Sequence, residues 1–184
     1  MCPWKEITDI VKQHDGKSHD TDTCGMHVHF NRTFFPRAHQ NLYTLRLVYL
    51  FEKFYDEICV FSRRKDNRNA RKYERPLFDR TARRKIRELR TDFWRYQAVN
   101  LRNNRTIEIR TFRGTLKVDT ILATLEFVNF LVKYCKKTST KKLQILTWSD
   151  LTSDIIKQNY KYLPDYLRAR GLLSNSQPQV HEED

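Results

Sequence analysis

The segment "RTIEIRTF" (Arg105–Phe112) alternates apolar and polar side chains, and a period of two becomes two faces only in an extended chain. On that pattern Ile107, Ile109 and Thr111 share one face, while Glu108, Arg110 and Phe112 share the other. A second segment, "DTCGMHVHFNR" (Asp22–Arg32), repeats it: Met26, Val28 and Phe30 fall on one side, His27 and His29 on the other. Strands with one apolar face need an apolar layer beneath them, and the intervening segments supply one. The fold class this implies is α+β, an antiparallel sheet packed on helices.

Trp4, Ile7, Ile10 and Val11 recur at helical spacing, so residues 4–14 predict a short helix that stops in the polar Asp15-Gly16-Lys17-Ser18. Leu42, Leu45, Val48, Tyr49, Phe51 and Ile58 predict one long amphipathic helix over 40–59. The Arg- and Asn-rich stretch from Phe61 to Asp79 lacks periodicity and predicts a long loop, and residues 80–91 predict a basic helix. "RYQAVNL" (Arg95–Leu101) resumes a strand, with Asn103-Asn104 as the turn into "RTIEIRTF". Asp119 is placed to cap a helix over 120–134, and a last helical region over 149–170 is interrupted at Pro164 and stopped by Gly171. Residues 1–173 predict a single domain and 174–184 a disordered polar tail.

A chain of 184 residues with 39% apolar and 12% aromatic side chains can bury a core. No apolar run reaches membrane-spanning length and the first residues lack the order of a signal peptide, so the expectation is a cytoplasmic protein with no membrane contact. Four scattered cysteines fit reduced thiols better than a disulfide scaffold. The formal charge of +13 is concentrated: Arg63 to Arg113 hold 18 Lys or Arg against 6 Asp or Glu, a net +12. Such a segment fits either a polyanionic partner or a solvated charged face.

His27 and His29 on one face suit a metal ion, a phosphate or a shared hydrogen-bonding network. On a neighbouring strand Glu108 adds a carboxylate for a hard cation, and Arg110 a planar fork for a carboxylate or phosphate. An exposed ion pair on an edge strand would give the same pattern. A zinc site of Cys24, His27 and His29 is a further alternative, but it lacks a fourth ligand at a familiar spacing.

Taken in order, "CGMHVHFN", a basic loop opening on "FSRR", "RYQAVNL", "RTIEIRTFRGTL" and an apolar helix resemble the amidoligase family of COOH-NH2 ligases, over roughly residues 20–140. "GMHVH" is also similar to the histidine motif of glutamine synthetase and "IEIR" to its Glu-x-Arg strand. The resemblance implies a glutamine-synthetase-like catalytic lobe using ATP and Mg or Mn. It implies His27 and Glu108 as metal ligands, and His29 near the nucleotide phosphates with Arg105 and Arg113 as lesser candidates. Arg110, with Arg63 or Arg64, would face the transferred phosphate or the substrate carboxylate, and Asn100 would be structural. The implied chemistry converts a carboxylate to an acyl phosphate that an amine then displaces, and both steps call for positive charge around developing negative charge.

The family also draws acidic ligands from a Gly-x-Glu-x-Glu-like segment before the histidine motif. Here Glu6, Asp9, Asp15, Asp20 and Asp22 lie in a helix or polar loop instead. The expectation is therefore a lobe lacking its N-terminal acidic strands, incomplete alone or completed by a second chain that supplies acidic metal ligands. The alternative is a basic binding module for nucleic acid or a ribonucleoprotein, of the kind phages and mobile elements turn on host machinery. Arg83, Arg84 and Lys85 would then make the contacts, with Phe61, Tyr73, Phe78, Phe93, Trp94 and Tyr96 interleaved.

Overall fold

The computed structural model describes residues 2–18, 25–64, 68–91 and 96–173. Cys24, Phe93, Trp94, Arg95 and the 174–184 tail, each the subject of a sequence expectation, lie outside the described residues, as do Asp20 and Asp22. The element order is α1 (Trp4–Gln13), β1 (Gly25–Asn31), a short 3-10 turn (Arg32–Phe34), α2 (Gln40–Lys53), α3 (Tyr55–Ser62), α4 (Ala82–Thr91), β2 (Val99–Asn100), β3 (Thr106–Arg113), α5 (Val118–Lys137), α6 (Thr140–Ile145), α7 (Trp148–Ile156) and α8 (Leu163–Ala169). The molecule is α+β, as the alternation of its strands implied.

The sheet is antiparallel in the order β1-β3-β2, with β3 at its centre. Met26 lies opposite Phe112 and Val28 opposite Ile109, so β3 carries one residue more than β1 between those pairs. This bulge shifts the alternation by one position. Phe112, expected beside Glu108 and Arg110, turns to the core with Ile107 and Ile109, and all three are at most 1% exposed. Glu108 and Arg110 remain on the face of His27 and His29, where they bond one another and Glu108 also meets His27.

The long helix expected over 40–59 is two helices. Phe54, at φ −108° and ψ 33°, ends α2 and begins α3. Lys53 Nζ donates to the carbonyls of Leu143 and Gln144, and the Phe54 ring meets Trp148 edge-on at 5.5 Å, so the junction is held by the segment that follows α5. The break redirects α3 against β3. There Phe61 stacks on Phe127 at 4.3 Å and meets Phe112 at 6.1 Å, joining sheet and α5 in one core.

The described residues of the loop after α3 hold no helix and no named strand, as expected, but are bonded to the sheet edge. Arg71 N donates to Tyr96 O, Ala98 N to Arg71 O, and Tyr73 Oη to Val99 O. Arg71 forms a lone parallel bridge with Gln97, which shortens the strand expected over 95–101 to Val99–Asn100. In the β2–β3 turn, Asn103 Oδ1 accepts from the amides of Arg105 and Thr106. Arg32, 6% exposed, donates from Nη2 to Leu101 O and from Nε to Asn103 O, tying the turn to the end of β1.

Asp119 does not cap α5; the helix starts two residues earlier than expected, with Lys117 in the cap position and Asp119 inside the first turn, where its negative charge complements the positive end of the helix dipole. The helical region expected over 149–170 with a break at Pro164 is α7 and α8, separated at 157–162, with Pro164 in the first turn of α8 where its missing N–H costs nothing. α6 was not foreseen; Ser139 caps it through Lys142 N. No described helix is long and apolar enough to cross a membrane.

Candidate metal and anion site

The site follows from the register. His29 lies opposite Glu108 across β1 and β3, and Asn100 lies opposite Glu108 across β2 and β3, so one carboxylate has a neighbour on each side. Glu108 Oε2 accepts from Asn100 Nδ2 at 2.7 Å. Its Oε1 is 2.6 Å from Arg110 Nη1, 2.9 Å from His27 Nδ1 and 3.7 Å from His29 Nε2. The Glu108 side chain is 11% exposed, and Asn100, Arg110 and His27 fix its carboxylate plane.

Arg110 is itself positioned: its Nε donates to Asn69 O at 3.4 Å and its guanidinium lies 5.9 Å from the Tyr96 ring centre. Arg64 Nη1 donates to Arg110 O at 2.6 Å, and Arg64 Nη2 approaches the Gly25 backbone beside His27 Nε2. The structure thereby separates the Arg63-Arg64 doublet. Arg63 ends α3 with φ 57°, a left-handed turn that costs a non-glycine residue about 1 kcal/mol and sends the chain back over the sheet. Arg64 borders the site and Arg63 is the turn that delivers it.

His27 is held below the ordinary imidazole value, first by burial and then by the Arg110 charge; Glu108 opposes the shift, and Arg64 and His29 add to it. A neutral ring keeps a lone pair. With the proton on Nδ1 the ring donates to Glu108, and with the proton on Nε2 it offers Nδ1 beside Oε1 to a cation. One ligand atom each from His27, His29 and Glu108 lies within 4.8 Å of the others, the one such group of three among the described residues. The set fits a divalent ion. Two imidazoles with one carboxylate suit Mn or another transition metal better than Mg, which favours oxygen ligands.

Of the other expected residues, Arg113 stands opposite Gly25 at the far end of β3, and Arg105 is exposed in the β2–β3 turn. Asn100, read as structural, orients the carboxylate. Thr106, 3.4 Å from His29 Nδ1, was missed, and Tyr96, named only among the aromatic residues of the nucleic-acid alternative, instead lies by Arg110; no spacing rule in the sequence marks either for this site. Lys85, proposed as a nucleic-acid contact, is 2% exposed and bound to Asp79 at 2.8 Å and Glu88 at 3.3 Å, which removes it from any surface contact. Arg83 and Arg84 are exposed.

A family model described as "Putative amidoligase enzyme" matches residues 3–132, which takes in α1, the whole sheet, both site histidines, Glu108 and Arg110. The chain belongs to this family. The match starts upstream of the 20–140 span that the motifs suggested. No curated protein and no solved structure gives a significant match. Membership in the amidoligase family makes this a ligase-like domain, and α6, α7 and α8 lie beyond the matched part.

Proposed function

We propose that this amidoligase-family chain joins a carboxylate to an amine at the expense of ATP, at a site centred on Glu108. The observation that carries the reading is the convergence of His27, His29 and Glu108 within 4.8 Å, on a sheet face that also holds Arg110 and Arg64. A divalent ion held there would offset negative charge on the nucleotide phosphates.

The chain's own groups divide the remaining work. Asn100 and Arg110 hold Glu108 at fixed orientation, so the carboxylate is presented with little reorganisation. Arg110 is the group that would engage a substrate anion, exchanging part of its bond to Glu108 for it. Arg64 adds positive charge to the same face. Among the described residues Glu108 is the sole carboxylate in the cluster, whereas phosphoryl-transfer sites with two metal ions draw on several. We infer that a second chain carrying acidic residues completes the set.

Calorimetry of ATP binding in Mn tests the reading. ATP is expected to bind the unaltered chain with Mn, to bind at least about tenfold more weakly to Glu108→Gln, and to bind unchanged to Arg84→Gln. Absence of ATP binding with either Mn or Mg, or binding indifferent to Glu108→Gln, would overturn it.

A further inference from the structure

Outside the sheet site, the basic segment builds a second feature. Arg83, Arg87 and Arg90 follow one another at four and three residues along α4, within a narrow arc of the helix. They line a pocket of about 420 Å³ together with Ile86, Arg102 from the β2–β3 turn and Asn41 from the first turn of α2. α4 is two-sided in charge. On one side Lys85 meets Asp79 and Glu88, and Glu88 also faces Arg75 and Arg80, so those cations are answered by carboxylates.

On the pocket side no carboxylate pairs with Arg83, Arg87, Arg90 or Arg102 among the described residues. Arg90 is positioned by a bond from Nη2 to Asn104 Oδ1, which leaves its other nitrogens to the pocket. Asn41 belongs to a helix start without a side-chain cap, the positive end of the α2 dipole. The field reaches the interior as well. Burial first, and the Arg90 charge next, bring Arg32 down to about 10.

We propose that this pocket is a phosphate site, taking a ligand that carries several phosphate groups close together. Four guanidiniums present planar donor forks suited to phosphate oxygens, and uncompensated clustering of like charge is costly unless an anion answers it. The volume admits several phosphate groups rather than a single ion. The residues are distinct from those of the Glu108 site, so the proposal stands apart from the ligase reading.

The test uses the full chain and inorganic tripolyphosphate, followed by calorimetry. Binding is expected to weaken about tenfold for each guanidinium removed in Arg87→Gln and in Arg83→Gln/Arg87→Gln. It should be unchanged in Arg84→Gln, whose side chain lies off the pocket face, and in Glu108→Gln. A short oligothymidylate separates two sources of the same chemistry: displacement of tripolyphosphate, with the same losses in the variants, assigns the site to a phosphodiester backbone, and failure to displace it assigns free polyphosphate. Undetectable tripolyphosphate binding, equal weakening in Arg84→Gln, or equal displacement by poly-aspartate of matched charge would overturn the proposal.

Discussion

Glu108 Oε1 has Arg110 at 2.6 Å and His27 at 2.9 Å, with His29 at 3.7 Å, and the behaviour of His27 reports on that balance. Burial and Arg110 depress its proton affinity while Glu108 restores some of it. A base held below its ordinary value favours the neutral form in the fold, so its contribution to stability is present above about pH 6.5 and is lost as pH falls through the lowered value. In metal-free protein, Arg110→Gln should move the His27 titration upward, read by proton-carbon NMR of the ring; a downward movement or none would contradict the assigned balance of charges. These residues were legible because a period of two fixes faces without reference to the rest of the molecule. The choice between Arg63 and Arg64 was not, since it depends on a left-handed turn at a non-glycine residue that no propensity marks.

At the scale of elements, the alternation along β3 was right for Ile107, Glu108, Ile109 and Arg110 and failed at Phe112, because a bulge is set by the pairing of two strands and not by either alone. Phe112 is 1% exposed and meets Phe61. Phe112→Ala should therefore cost about 3–5 kcal/mol in urea unfolding; a cost below about 1 kcal/mol would mean that the side chain faces solvent after all. The same limit explains α2 and α3: the apolar spacing runs on through Phe54, and the break is imposed by Lys53 and Trp148 contacts with distant residues. Glu126 gives a second case. Its carboxylate accepts from the amides of Lys161, Tyr162 and Leu163 at 3.1, 2.9 and 2.7 Å, holding the start of α8 to α5. Glu126→Ala should lower stability by about 2 kcal/mol without changing Mn affinity; loss of Mn binding in a folded variant would show that the C-terminal helices shape the site.

Across the whole molecule, nine of the 18 basic residues of 63–113 fall into three groups. Arg64 and Arg110 stand over the sheet, Lys85, Arg75 and Arg80 are paired with Asp79 and Glu88, and Arg83, Arg87, Arg90 and Arg102 face an open pocket. Composition located the charge but not its division, because which face of α4 meets carboxylates is decided by the fold of the preceding loop. The order of motifs carried the family, since membership rests on a match running from α1 into α5. The central claim is that the sheet face of His27, His29 and Glu108 is a metal site, and Mn binding followed by electron paramagnetic resonance of the free ion tests it most directly. The account predicts saturable binding to the full chain, weakened at least about tenfold by Glu108→Gln and by His29→Ala. Absence of binding, or equal affinity in both variants, would contradict it.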